Sequence, residues 1–305
     1  MKRSLKGNLL LAVASLIWGT AFVAQSLGME YIGPFTFMTS RSFVGTISLL
    51  PVIALQNRYR KKHLKTTHIP SLNKKALIKA GIVCGLILSV ASNLQQYAMQ
   101  YTTAGKTGFL TALYILLVPL AGFFFGKKPP RLLWFSIAGA TVGLYLLSVT
   151  SKFTIEPADL LVIASAFVFT GHIMAVDYYS PKVSGVQLSA LQFLVAGLTS
   201  AVPMFIFENP QWANIIKSSL PILYAGVLSS GVAYTLQIIG QRLTTATMAS
   251  LIMSAESVFA LIGGMLILGE SLTGREAMGA ALLLLAIISA QLVQSRAKGI
   301  THEAV

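Results

Sequence analysis

Ten apolar stretches follow one another along the chain, near residues 7–28, 33–55, 76–98, 103–126, 131–149, 157–178, 185–207, 218–240, 244–268 and 272–293. A helix rises 1.5 Å per residue, so about 20 apolar residues cover a hydrocarbon core ~30 Å thick. Inside that core every backbone polar group must find its partner within the chain, and helices do so segment by segment. The expected fold is therefore all-α and integral to a membrane, with ten transmembrane helices. Short loops force consecutive helices to run antiparallel.

Composition narrows the reading. Hydrophobic residues make up 55% of the 305 residues and charged residues 10%, against about a quarter charged in soluble domains. The net charge of +14 is placed as topology demands. With the N-terminus in the cytoplasm, the inner segments hold Lys2, Arg3, Lys6, the cluster from Arg58 to Lys79, Lys127, Lys128, Arg131, Lys182, Arg242, Arg296 and Lys298. The outer ends hold Lys106, Lys152, Lys217 and Arg275. This positive-inside bias puts both termini in the cytoplasm. The basic charge is read as topology and attraction to the lipid bilayer, with no nucleic-acid partner expected. Met1-Lys2-Arg3 before an apolar stretch imitates a leader, but the stretch exceeds an h-region and more spans follow, so it is expected to be the first helix. Cys84 is the single cysteine. It allows no intramolecular disulfide and no cysteine-cluster metal site.

The chain repeats itself. Residues 91–104 read ASNLQQYAMQYTTA and residues 233–246 read AYTLQIIGQRLTTA. Ala91, Leu94, Gln95, Thr102, Thr103 and Ala104 thus return as Ala233, Leu236, Gln237, Thr244, Thr245 and Ala246. Weaker echoes are Asn8-Leu9-Leu10 against Asp159-Leu160-Leu161, and Gly126-Lys127 against Gly269-Glu270. Two units follow, residues 1–151 and 152–305, of five spans each. Five is odd, so the second unit enters from the opposite side and the two are expected to be inverted repeats. Secondary transporters are commonly built this way, with the binding site near the midplane between repeats. GxxxG pairs at Gly81–Gly85, Gly122–Gly126 and Gly139–Gly143, with Gly263-Gly264, suit close helix packing. Whether any of them forms an oligomer surface stays open. Residues 56–75, with His63 and His68, read as a solvated loop, and the tail after Arg296 as short, polar and disordered.

Charged side chains inside spans are costly and select for function. Glu256 lies near the middle of the ninth span, and its helical face offers Ala249, Ile252, Phe259, Ala260 and Gly263. A midplane acid that gains and loses a proton is what proton-coupled exchange requires; the alternative is a structural carboxylate tied to another helix. Lys106 sits just inside the outer end of its span. It can snorkel, pair with Glu256 or bind an anionic substrate group. Arg41 is deeper and needs an acceptor, with Glu256 and backbone carbonyls as the evident candidates. His172, near the centre of the sixth span, titrates near neutral pH in water and is a candidate proton relay or a neutral hydrogen-bonded histidine. Trp18, Tyr97, Tyr114 and Tyr234 are candidates for stacking on a cationic or aromatic substrate, or for packing. Asn93, Gln95, Gln96 and Gln237 lie near opposite surfaces and would suit gates. The sequence carries no HExxH, GxSxG or Walker A motif. No enzyme activity and no cofactor or metal is expected.

The residues also carry a resemblance. Leu16-Ile17-Trp18-Gly19-Thr20, Arg41, the run from Thr102 to Tyr114 with Pro119 beyond it, and Ser254-Ala255-Glu256-Ser257-Val258-Phe259-Ala260 are similar to those of the drug/metabolite transporter superfamily, specifically the bacterial EamA-type ten-helix carriers. Ser257 stands where that family commonly has proline. The resemblance implies a multi-pass protein of the bacterial cytoplasmic membrane, with a cavity lined by spans 1, 3, 4, 6, 8 and 9 and spans 5 and 10 peripheral. It also implies alternating access and, commonly, export of small molecules such as amino acids, related compounds or drugs. An uptake carrier or antiporter of the same fold remains open. So does a membrane-embedded enzyme or flippase for lipid-linked substrates, which needs a lateral opening with convergent polar side chains near one surface.

Overall fold

The structure is a computed structural model that describes residues 2–63, 73–102, 104–127, 129–148, 156–268 and 273–303. Among the described residues all regular structure is helical. In chain order the helices are α1 (Lys2–Gly28), α2 (Pro34–His63), α3 (Lys74–Ala98), α4 (Ala104–Thr111), α5 (Tyr114–Phe124), α6 (Arg131–Ser148), α7 (Pro157–Tyr179) and α8 (Gly185–Phe207). Two short helices, α9 (Trp212–Lys217) and α10 (Ser219–Leu223), lead into a π-helical stretch, Tyr224–Ala233. Then come α11 (Tyr234–Gln241), α12 (Ala246–Met253), α13 (Glu256–Leu268) and α14 (Gly274–Glu303).

Nine segments among the described residues are long and apolar enough to cross a membrane. Each falls within a few residues of an expected span. The expected tenth, 131–149, corresponds to the apolar helix Arg131–Leu147, which is shorter than the other nine. Two expectations need correction. Residues 56–63 continue α2 instead of opening a loop, and α14 runs on to Glu303 instead of ending in a disordered tail. His68, Thr103, Lys128, Lys152 and the echo Gly269-Glu270 lie outside the described residues.

Two of the spanning segments are broken. One stops at Thr111 and restarts at Tyr114; the other stops at Met253 and restarts at Glu256. At both breaks the backbone tightens to bonds three residues apart, Ile115 N to Ala112 O at 2.9 Å and Ser257 N to Ser254 O at 3.2 Å. Pro119 lies beyond the first break and removes a donor there. The second break has no proline. Instead Ser250 Oγ donates to Thr247 O at 2.9 Å and Ser254 Oγ to Leu251 O at 2.7 Å. Serine hydroxyls that bond back to the preceding turn compete with the backbone ladder and bend helices.

Packing places α6 against α14 at one side of the bundle, while α2 and α3 pack on α8, α3 on α7, and α1 on α13 and α11. Glycines set the closest approaches. A Cβ on Gly143 would fall 2.9 Å from Gly279 O, and one on Gly85 2.7 Å from Gln192 O. Two of the GxxxG pairs are thus used inside the chain, between α6 and α14 and between α3 and α8. Glu208, at the end of α8, accepts from Phe35 N at 2.8 Å, Thr36 N at 2.7 Å and Thr36 Oγ1 at 2.6 Å. A carboxylate at the start of α2 satisfies free N–H groups and complements the helix dipole.

Candidate functional site

The helices converge on a central cavity of about 60 Å³, room for about four waters. Trp18, Phe22 and Gln25 reach it from α1, spaced four and three residues apart on one helical face. Arg41 comes from α2, Ser92 and Gln95 from α3, and Phe169, His172 and Ile173 from α7. Thr111 and Tyr114 flank one helix break, and Met253 and Glu256 flank the other. Ser229 of the π-helical stretch, with Tyr234 and Gln237 of α11, completes the wall.

Of the candidates named from sequence, Trp18, Arg41, Gln95, Tyr114, His172, Tyr234, Gln237 and Glu256 are brought together here. Lys106 is not. The lining comes from spans 1, 3, 4, 6, 8 and 9, as the resemblance implies, and also from span 2 through Arg41.

Two expected pairings and one expected placement are corrected. Arg41 does not turn to Glu256. Its Nη1 donates to Gln25 Oε1 at 2.9 Å, Nη2 to Ser229 Oγ at 2.8 Å and Nε to Ser230 Oγ at 3.2 Å. Consecutive serines both face one guanidinium because the wider π turn rotates less from one residue to the next than an α turn. Lys106 does not reach Glu256 either; its Nζ lies 2.6 Å from Asp159 Oδ2. Side chains lean toward the N-terminus of their own helix. Lys106 is in the first turn of α4, so it points away from the middle of the bundle. The same lean corrects the expected placement of two glutamines. Gln95 and Gln237 lie near the C-terminal ends of α3 and α11, and both side chains reach back to the same cavity instead of guarding opposite surfaces.

Glu256 opens α13 and is 5% exposed. Tyr114 Oη donates to its Oε1 at 2.9 Å. Among the described residues the salt bridges are Lys106–Asp159 and Lys127–Asp177, so neither Arg41 nor Glu256 sits in one. The cavity therefore holds a cation and a carboxyl group, each solvated by neutral side chains. Such a pair of sites can bind a small polar solute, and the carboxyl group can exchange a proton with it.

His172 Nε2 lies 3.1 Å from Gln192 Oε1. Its ring meets Tyr234 at 6.0 Å, and Tyr234 also packs edge-on against Trp18 at 4.8 Å and Phe193 at 5.0 Å. Gln95 Nε2 donates to Thr111 Oγ1 at 2.7 Å. Trp18 Nε1 and Gln237 Oε1 are buried without a protein partner. They leave one donor and one acceptor on the wall for a solute. Asn93, Gln96 and Tyr97 do not line this cavity. Gln25 and Ser229 were not singled out from sequence. The signal for Gln25 was its place on the face of Trp18; the serine carried none.

Comparison with known proteins agrees with this architecture. The model of the EamA-like transporter family matches the chain twice, over residues 5–149 and 156–290. An uncharacterized transporter of Archaeoglobus fulgidus is 28% identical over 291 residues, or 94% of this chain and 86% of that protein. The uncharacterized transporter YoaV of Bacillus subtilis is 24% identical over 295 residues, covering 93% and 96% of the two chains. A solved crystal structure shares the fold, with a TM-score of 0.76 at 18% identity over 95% of this chain and 98% of the other. The chain belongs to the EamA-like transporter family.

Proposed function

We propose that this protein is a secondary active transporter that exports small metabolites across the bacterial cytoplasmic membrane by alternating access. Ten spans form two inverted five-helix units, residues 1–151 and 152–305, with both termini cytoplasmic. Glu256 carries proton or exchange coupling, and Arg41 supplies charge complementarity to cargo. No chemical step on the cargo is required.

One observation carries this reading. Arg41 and Glu256 line the same cavity without pairing with each other. Charges kept inside a spanning bundle mark solute and ion pathways. Register adds support. Tyr114 and Glu256, the first residues after the two helix breaks, are 142 residues apart and hydrogen-bonded to each other. The same offset of 142 relates the duplicated windows that begin at Ala91 and Ala233. In a two-fold arrangement, corresponding residues meet at the axis.

The test is extracellular metabolite profiling of cells that overproduce the protein, beside cells with Glu256→Gln at matched membrane abundance. Export predicts a solute that accumulates outside and is lost with the mutation. Accumulation that survives it removes Glu256 from coupling, and depletion of an external solute reverses the direction.

A lipid-like cargo is a second reading with its own observation. A groove of about 790 Å³ runs between α3 and α8, lined by Ser89, Asn93 and Thr199 among apolar residues including Tyr97 and Phe207. Asn93 Nδ2 donates to Ser200 Oγ at 2.7 Å, and Thr199 Oγ1 to Ser89 Oγ at 2.7 Å. Transfer of a fluorescent lipid between leaflets of proteoliposomes would decide for this reading; transfer equal to that of empty liposomes would remove it.

A further inference from the structure

The two ends of the bundle carry different chemistry. At one end Asp159, 1% exposed, gathers three donors: Lys106 Nζ at 2.6 Å, Thr102 Oγ1 at 3.3 Å and the backbone N of Glu156 at 2.7 Å. This joins the start of α4 to the start of α7. The carboxylate is buried and well satisfied, so its desolvation is offset by the groups around it.

The inverted register locates the counterpart. The offset of 142 carries Thr102 to Thr244 and Lys106 to Met248. An offset of 151 aligns the ends of α1 and α7, Gly28 with Tyr179, and the starts of α2 and α8, Pro34 with Gly185. It carries Asp159 back to Asn8, so the counterpart lies where α12 meets α1. There the charges are gone. Met248 is fully buried, and Asn8 Oδ1 and Thr244 Oγ1 are buried without a hydrogen-bond partner. Buried polar atoms without a protein partner are disfavoured, and opening this end returns them to water.

We infer that Lys106, Asp159 and Thr102 form a latch that holds the extracellular end shut. The cytoplasmic end has Asn8, Thr244 and Met248 in the same places, and the ion pair it does carry, Lys127 with Asp177, is exposed at the lysine and contributes little. The protein then rests with its cavity available to the cytoplasm, and cargo must break the latch to leave. The inference rests on the inverted repeat and on the sidedness set by the basic residues. It reassigns Lys106 from cargo recognition to gating.

Spin labels report both ends. Gly105→Cys with Leu160→Cys reads the latched end. A Cβ on Gly105 meets nothing within 4 Å, and Leu160 is exposed to the lipid side. Their counterparts, Leu9→Cys and Thr247→Cys, read the other end. Both pairs are made in the full chain with the buried Cys84 replaced by alanine, and distances are measured by pulsed electron resonance in lipid nanodiscs.

Lys106→Met, which copies the residue of the opposite end, should raise the population of long distances at the 105–160 pair about fivefold or more. Lys106→Arg should not. Asp159→Asn is the second removal, for use if Lys106→Met folds poorly. Asn8→Asp with Met248→Lys, which transplants the latch, should shorten and narrow the 9–247 pair. Distances at 105–160 that stay unchanged in folded Lys106→Met and Asp159→Asn protein overturn the latch. Flux of an exported solute, assayed on the same samples, separates the two ideas. Retained flux with unmoved distances sinks the latch alone. Moved distances without flux of any solute leave the latch standing and sink the transport reading.

Discussion

The two broken segments, 104–124 and 246–268, share a plan and differ in how closely their neighbours approach. Each stops after eight helical residues and restarts after a gap of two residues. The first leaves room at two glycines: a Cβ on Gly105 would meet nothing within 4 Å, and one on Gly108 only Phe22 Cε2 at 3.7 Å. The second is clamped from α1. A Cβ on Gly19 would fall 2.5 Å from Phe259 Cβ and 2.6 Å from Glu256 O. The glutamate thus sits on the segment that meets the backbone of α1 directly, and its tyrosine partner on the segment with room at its glycines.

The largest effect expected from this contrast is on the segment that meets α1. Glu256→Gln should lower solute flux on the order of a hundredfold while the protein stays at normal abundance in the membrane. Flux within twofold of wild type would make Glu256 structural. Gly19→Ala comes next. It forces a methyl group into backbone and should destabilise the purified protein by about 1–3 kcal/mol, read as an earlier unfolding midpoint in detergent. Tyr114→Phe removes one buried hydrogen bond and should cost about 1 kcal/mol, with a several-fold loss of flux. Gly108→Ala is the smallest change. Its new methyl group has ordinary contact distance, so the unfolding midpoint should stay within about 0.5 kcal/mol of wild type. If Gly108→Ala proved as damaging as Gly19→Ala, the two segments would not differ.

Much of the fold was legible because hydropathy alone marks a spanning helix. The exception, 131–147, falls short in length, and length is what the hydropathy argument measures. The break before Glu256 was hidden because the expected marker, proline at 257, is absent. Its agents, Ser250 and Ser254, are common residues whose back-bonding depends on rotamer. At the site, ionisable residues stood out against an apolar background. Their partners did not. Arg41 is satisfied by Gln25, Ser229 and Ser230, which a search for opposite charge passes over. The lean of helical side chains, a fixed property of L-residues, separates the fate of Lys106 from that of Gln95. Applied to the sequence, it would have turned Lys106 outward and the two glutamines inward. Asp159 had a signal too: it follows Glu156-Pro157, a helix start at which an acid three residues in is favoured.

The contact at Gly19 has one more consequence. Its Cα side rests on the backbone of residues 256–260 with no side chain between, so there is no rotamer to absorb a displacement. A shift of the backbone at Glu256 therefore meets α1 at Gly19 directly, so the first helix of the chain is the nearest neighbour to register any movement there.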